Sequence, residues 1–373
     1  MIKVVQFIHG LNMGGAEKVV KDYATLLNKE KYDVTVLCLE HFHDSPYESL
    51  LKLNGIRTIY ICDDMPLSSR RDILSRMVNK FQRYYLVKRY LTRLQPDIVH
   101  VHLQLNGYIK KSHLNHNTKI FYTQHFDVEC LKKNYPDQIR YLRWLQKRYD
   151  VHLIALNEEM RKSLNHLFSI NNTVIINNGI DFTKYRTNFN KQEKRQELKV
   201  PQEAFVVCHV GRFDPIKNHD FLIDIFEQIK LQVPKAFLIM VGKGKTEKTV
   251  RSKLIEKDLM DSTLILNDRV DVDEILRASD VAVFPSISEG LGISVIEMQA
   301  AGLPCVVSDT VPRATCISNK IRYMSLEKPV CEWADELLRL ASEEKAFLYT
   351  NLEEWDLKGS ICKLEKLYMG VIK

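Results

Sequence analysis

Pro285-Ser286-Ile287-Ser288-Glu289-Gly290-Leu291-Gly292-Ile293-Ser294-Val295-Ile296-Glu297 runs on to Ala300-Ala301-Gly302-Leu303-Pro304. Ahead of it, Val281 to Phe284 reads as a short buried strand. A glycine-bracketed turn then leads into an apolar helix that Gly302-Leu303-Pro304 stops. Such a turn leaves backbone N–H groups open at a helix N-terminus, where partial positive charge and free donors stabilise an anion. Glu289 sits in the turn, and Glu297 falls in about the second turn of the helix. Read alone, the first is a solvated loop acid and the second a helix-face acid, because glutamate is common on helices. Strand, turn, helix and stop in one register argue for more: phosphates at the helix end and hydroxyls on the two acids suit a sugar nucleotide.

In that register the block resembles the retaining glycosyltransferases of family 4, which have the GT-B fold and share this Glu-x7-Glu signature. The resemblance implies that Glu289 holds the transferred sugar and Glu297 the nucleoside ribose. It places Gly290, Leu291 and Gly292 against the donor.

The chain has 373 residues, 45% hydrophobic and 27% charged, as expected of two globular domains that each bury a core. It opens on a strand, Ile2 to Ile8, without a signal-peptide pattern, and no apolar run approaches the ~18 residues of a membrane span. A cytoplasmic protein is expected, attached at most to the inner face of the cell membrane. Of eight cysteines, Cys38, Cys62, Cys208 and Cys305 lie in apolar runs and no Cys-x2-Cys pair occurs, which argues against a zinc site or disulfide framework. Net charge is +7 but unevenly spread. Residues 1–180 hold 26 Lys and Arg against 17 Asp and Glu, or +9; the remainder hold 28 against 30, or −2.

Short apolar runs alternate with helical patterns throughout, which predicts parallel sheets built from βαβ units. The expected strands are Val4–Ile8, Val34–Leu39, Thr58–Ile61, Ile98–His102, Ile120–Thr123, His152–Ala155 and Val174–Ile176. A second series reads Phe205–Val210, Ala236–Val241, Thr263–Leu266, Val281–Phe284, Cys305–Ser308 and Ile321–Met324. Asn188 to Val200, polar and highly charged, reads as a linker. The fold class is α/β: two Rossmann-like domains facing across a cleft, with ligand at the carboxyl ends of the strands. Domain limits of 1–187 and 188–356 follow, and the resemblance implies that a last helix, within 357–373 and centred on Ser360–Tyr368, packs back on the first domain.

His9-Gly10-Leu11-Asn12-Met13-Gly14-Gly15-Ala16-Glu17 separates the first strand from the first helix. Paired glycines let backbone approach a ligand closely, although the Gly-x-Gly-x-x-Gly dinucleotide pattern is absent. The run also resembles family 4, which implies Gly15 facing the donor diphosphate and Gly14 and Glu17 on the acceptor side. In Gly211-Arg212-Phe213-Asp214-Pro215-Ile216-Lys217-Asn218 two cations leave a strand end together. The resemblance assigns Arg212 and Lys217 to the donor diphosphate, so no metal and no other cofactor is expected. Asp271-Val272-Asp273 invites a metal reading, but its place at a predicted helix start makes capping the better one. Asn267 departs from the family, which has glycine there beside the base. Gly242-Lys243-Gly244-Lys245-Thr246 fails as a phosphate loop because Ile239 stands where a glycine is required. Gly242 fits the family's donor-side turn. Thr123-Gln124-His125-Phe126-Asp127 follows a strand, and the resemblance places His125 near the reacting centre of the sugar. Asn178-Gly179-Ile180-Asp181 resembles the family's domain-end turn.

Arg70, Arg71, Arg76, Lys80, Arg83, Lys88, Arg89 and Arg93 interleave with Phe81, Tyr84, Tyr85, Leu86 and Tyr90 at helical spacing, as in a surface helix meeting anionic lipid. No nucleic-acid-binding module is present. The expected activity is metal-independent, retaining transfer of a hexosyl unit from a nucleotide sugar, most simply a UDP-hexose or UDP-N-acetylhexosamine. The expected acceptor is a sugar hydroxyl on a lipid-diphosphate-linked glycan, in capsule, exopolysaccharide or lipopolysaccharide assembly. An epimerase of the same architecture, or a non-catalytic sugar-nucleotide-binding descendant, are the alternatives.

Overall fold

The computed structural model describes residues 1–65, 73–344 and 346–371. They divide into two units, Met1–Asn178 with the stretch from Gly359 onward, and Gly179–Lys358. The division at Gly179 precedes the expected limit after residue 187. Ile180 already pairs within the second unit, its N–H donating to Trp355 O at 2.7 Å and its carbonyl accepting from Leu357 N at 3.1 Å. A Cβ on Gly179 would lie 2.4 Å from Leu357 Cα, so this turn requires glycine for the close approach of two backbones.

The first unit begins β1 (Ile2–Ile8), α1 (Gly15–Leu26), β2 (Tyr32–Cys38), α2 (Pro46–Leu53), β3 (Arg57–Tyr60) and α3 (Ile73–Leu94). It continues through β4 (Ile98–His102), α4 (Asn106–Ser112), β5 (Lys119–Thr123), α5 (Val128–Asn134) and α6 (Pro136–Gln146). β6 (Val151–Ala155), α7 (Glu158–Phe168) and β7 (Val174–Ile175) follow. The strands form one parallel sheet in the order β3-β2-β1-β4-β5-β6-β7. Strands such as Ile98-Val99-His100-Val101-His102 are buried along their whole length, because helices cover both faces of a doubly wound sheet.

The second unit holds α8 (Lys191–Glu197), β8 (Phe205–Val210), α9 (His219–Gln232), β9 (Ala236–Val241), α10 (Glu247–Glu256), β10 (Thr263–Leu266) and α11 (Val272–Arg277). It ends with β11 (Val281–Phe284), α12 (Ile293–Ala300), β12 (Cys305–Ser308), β13 (Ile321–Met324) and α13 (Val330–Ala341). Its parallel sheet runs β10-β9-β8-β11-β12-β13. Two apolar clusters fill its faces, one around Phe213, Phe226 and Trp333, the other around Phe284, Met298 and Val307. The second-series strands match their expected limits, as does β4, whereas the other first-series strands shift by one or two residues at one or both ends.

Asn188–Val200 is not a linker. It contains α8, capped by Asn190, and two buried cations. Lys194 pairs with Asp271 at 2.6 Å, Glu274 at 2.7 Å and Glu197 at 2.8 Å. Arg195 donates to Ala278 O, Gln202 O, Ala204 O and the Asp280 carboxylate. The charges that read as solvated are satisfied by acids and carbonyls far along the chain, so their burial is tolerated. The same pairs correct the reading of Asp271. It stands at the N-cap of α11 but its carboxylate binds Lys194 and Arg269 instead of capping free amides.

The last helix, α14 (Leu357–Val371), lies within the expected 357–373 and extends beyond Ser360–Tyr368 at both ends. Within the first unit, Glu365 Oε1 accepts from Asn28 N at 2.8 Å, and Tyr368 is fully buried against Phe121 and Tyr32.

Candidate active site

In the second sheet β8 is flanked by β9 on one side and β11 on the other, so the connections leaving β8 and β11 diverge. Open α/β sheets bind ligands at such a switch point. The loop after β8 carries Arg212 and Lys217; the loop after β11 carries Glu289. Ile287 N donates to Ile216 O at 2.8 Å and ties the two loops together. Lys217 Nζ lies 2.5 Å from Glu289 Oε1, with side chains only 14% and 10% exposed, and over the ring of Phe284. Ser286 Oγ donates to the same oxygen at 2.5 Å. Ser286 is fixed in turn, its carbonyl accepting from Ser308 Oγ and Thr310 Oγ1. Both donors converge on Oε1, so Oε2 of Glu289 keeps its accepting capacity. Arg212 is exposed and ion-pairs with none of the described residues.

The glycines here have distinct reasons. Gly242 has φ +157° and a Cβ on it would fall 2.0 Å from Gly211 O; a Cβ on Gly244 would fall 2.3 Å from Phe213 O. The loops after β8 and β9 therefore interlock backbone to backbone. Gly292 has φ +83°, and a Cβ there would make only ordinary contacts, the nearest 3.6 Å away on Val311, so its left-handed conformation is what matters. It is the N-cap of α12, and Leu291 beside it is buried. Gly290 and Glu297 both make further polar interactions, and the Glu297 carboxylate faces the Tyr185 phenol closely enough to raise its pKa after burial has done so. Gln299 anchors the helix, donating to Val295 O and Thr315 O and accepting from Ile317 N and Ser318 Oγ. Positive φ at Gly302 then ends it, with Leu303 N reaching Met298 O.

Two histidines escaped the sequence reading. His209, in β8, donates from Nδ1 to Val283 O at 3.0 Å, and its shielded Nε2 has no partner among the described residues. His219 stacks on Phe213 and meets His209 edge to face. Burial, then the Lys217 charge, pushes His219 down to about 4. A histidine inside an apolar strand one residue short of the Gly211-Arg212 turn was the available signal.

The first unit carries the remaining expected residues. Gly14 is the N-cap of α1 in extended conformation. A Cβ there would fall 2.4 Å from Glu17 Oε2, so the Glu17 carboxylate folds back over the first helical turn beside Gly14 and Gly15. His125 follows β5, and its Nε2 lies 2.9 Å from His102 Nδ1. Burial holds the His125 ring neutral, with its pKa down to about 3. Its Nδ1 is shielded and has no partner among the described residues, which costs about 1–3 kcal/mol.

Two doubly wound parallel sheets, one with a lysine–glutamate pair at its switch point, define a two-domain α/β protein of Rossmann-like build. The comparisons make this specific: residues 13–184 match the Glycosyltransferase Family 4 model and residues 190–347 the Glycosyl transferases group 1 model, and the chain belongs to this family of GT-B glycosyltransferases. It is 24% identical over 379 residues to the UDP-Gal:alpha-D-GlcNAc-diphosphoundecaprenol alpha-1,3-galactosyltransferase of Escherichia coli, covering 96% of this chain and 95% of that protein. It is 25% identical over 379 residues to the capsular polysaccharide biosynthesis glycosyltransferase CapH of Staphylococcus aureus, covering 99% of each. In fold it is similar to Anabaena Alr3699/HepE in complex with UDP-glucose, with a TM-score of 0.73 over 100% of this chain and 97% of that one, at 18% identity. The family and fold expected from the Glu289–Glu297 block are thereby established. No described helix is long and apolar enough to cross a membrane.

Proposed function

We propose that this glycosyltransferase moves a hexosyl unit from a UDP-sugar to a sugar hydroxyl of a lipid-diphosphate-linked glycan, with retention at the anomeric carbon and without a metal. The observation that carries the donor half is the Lys217–Glu289 pair at the β8/β11 switch point. A cation held by a carboxylate is exchangeable: an incoming diphosphate takes Lys217, and Glu289 turns its oxygens to sugar hydroxyls. Arg212, Lys217 and the α12 N-terminus at Gly290–Gly292 stabilise the departing nucleoside diphosphate. Gly15 and Gly242 admit it at close range, and Glu297 takes the ribose. Glu289 and His125 contact the transferred sugar, with the acceptor toward Gly14 and Glu17. Attack by the acceptor hydroxyl on the face that the diphosphate leaves accounts for retention. The Escherichia coli relative's diphosphoundecaprenol substrate supports the choice of acceptor class.

The first unit also bears a surface suited to that acceptor. Met77, Phe81 and Tyr85 stand exposed at successive turns of α3, beside exposed Lys80, Lys88, Arg89 and Arg93. Lys111 lies over Tyr84, and Lys110 over Tyr141 and Trp144, which carries the aromatic and basic character onto α4 and α6. Arg83 is committed to Glu40 at 2.7 Å, and Arg70 and Arg71 lie outside the described residues. We assign this face to an anionic membrane surface.

A panel of UDP- and GDP-sugars, assayed for nucleotide release with the wild type and Glu297→Ala, tests the donor half. UDP release that falls at least about tenfold in Glu297→Ala is expected; undiminished release overturns the ribose assignment.

A further inference from the structure

Behind His125 a chain of buried polar groups runs to the far end of the sequence. His125 Nε2 meets His102 Nδ1 at 2.9 Å, and His102 Nε2 meets Gln6 Oε1 at 2.8 Å. Gln6 Nε2 donates to Tyr368 OH at 3.2 Å. Tyr368 OH lies 2.6 Å from His100 Nδ1, and His100 Nε2 lies 2.7 Å from Thr123 Oγ1. Thus β1, β4, β5 and α14 each contribute a link. Gln6, His100, His102, Thr123 and Tyr368 are completely buried. Burial, reinforced by the neighbouring rings, holds His100 and His102 neutral. Each imidazole therefore carries one ring proton, and which nitrogen holds it is set by the bond at the other.

The proton positions follow from one link to the next. The Gln6 amide nitrogen faces Tyr368, so its oxygen faces His102 and can only accept. His102 then carries its proton on Nε2, and its bare Nδ1 accepts from His125 Nε2–H. That leaves His125 Nδ1 as a bare acceptor, the one ring nitrogen of these three histidines without a partner among the described residues. In the other direction Tyr368 accepts from Gln6 and gives its own proton to His100 Nδ1, and His100 Nε2–H donates to Thr123.

We propose that Tyr368, Gln6 and His102 are positioning residues that hold His125 as its Nε2–H tautomer, so that Nδ1 accepts a hydrogen bond from a hydroxyl of the bound sugar. The tautomer follows from this unit alone; the sugar hydroxyl rests on the function proposed above. The arrangement selects for a ligand group that can donate. Turning the Gln6 amide over would reverse every bond in the chain and present Nδ1–H instead. Tyr368 acts by giving the amide nitrogen an acceptor on the side away from His102.

The test uses the full chain with 15N-labelled histidine rings. Two-bond 1H–15N correlations report the tautomer, with His125→Gln to assign the signals. Expected for the wild type is a protonated Nε2 and a bare Nδ1 at His125. In Tyr368→Phe the amide loses that acceptor, the His125 signals move toward a mixture of tautomers, and kcat for UDP release falls about tenfold while KM for the UDP-sugar changes less than about twofold. Gln6→Met, which leaves α14 unaltered, is expected to shift the signals in the same way and covers the case in which Tyr368→Phe does not fold. Nδ1–H at His125 in the wild type overturns the proposal, as does a spectrum that neither variant moves. Expected spectra with no nucleotide release by the wild type from UDP-glucose, UDP-galactose or UDP-N-acetylglucosamine support the relay and overturn the assignment of His125 to a sugar.

Discussion

Glu289 and Lys217 neutralise one another at 2.5 Å, and this pair sets what each substitution does. Glu289→Gln removes a negative charge from beside the proposed diphosphate position and releases the lysine. UDP affinity is expected to rise about three- to tenfold by calorimetry, the effect of removing roughly 1 kcal/mol of repulsion. Sugar transfer is expected to fall about 100-fold or more, because the sugar loses its charged acceptor. Unchanged or weaker UDP binding would show that Lys217 is not the group the carboxylate restrains. The sequence placed both residues correctly at loop positions but gave no sign of their contact. Their partnership depends on the Ile287–Ile216 backbone bond, which joins segments 71 residues apart by numbering. Gly242 and Gly292 looked alike as turn glycines and differ physically. Gly242→Ala drives a Cβ into Gly211 O and is expected to destabilise the protein by about 3 kcal/mol or more. Gly292→Ala meets nothing closer than 3.6 Å and adds only about 1–2 kcal/mol of left-handed strain. Denaturant midpoints separate the two.

Among the elements, α8 shows where a local window fails. Lys191-Gln192-Glu193-Lys194-Arg195-Gln196-Glu197 has the composition of a solvated connection, yet its two central cations are buried. Their partners, Asp271 and Asp280, come from the N-cap of α11 and the residue before β11, beyond any periodicity a short segment can display. The strands of the second sheet were legible because each is a buried, largely apolar run between polar turns. His100 and His102 lie two apart and hence on one side of an apolar strand, which a sequence shows; the Tyr368 partner of His100 it does not. Burial raises the Asp271 carboxyl, but hydrogen bonds from Arg269 and Lys194 outweigh it and hold the group down at about 2. Its folded pKa therefore lies below the unfolded value of about 3.9, and its stabilisation is present above that value and lost as pH falls through about 2. Asp271→Asn is expected to be less stable than the wild type at neutral pH, with the gap in urea midpoint closing between about pH 4 and pH 2. A constant gap would mean that Asp271 acts by shape and not by charge.

For the whole molecule, the +9 of residues 1–180 against the −2 of the rest places cationic character on the unit with the exposed aromatic face. The membrane contact proposed for α3, α4 and α6 predicts sedimentation with phosphatidylglycerol vesicles that weakens steeply with added salt. Phe81→Glu with Tyr85→Glu is expected to lower the bound fraction at least about fivefold, while UDP release with a water-soluble acceptor stays within about twofold. Vesicle binding indifferent to both substitutions would remove α3 from the contact.

Tyr368 gives the molecule a history as well as a shape. Residues 2–178 leave the ribosome with the pocket for its phenol open, since Gln6 and His100 meet their hydroxyl partner only when residue 368 appears. The whole of 179–358 is synthesised in the interval. The domain begun first therefore waits for a residue made after the whole second domain, and a stop codon before residue 368 would leave its damage at the beginning of the protein.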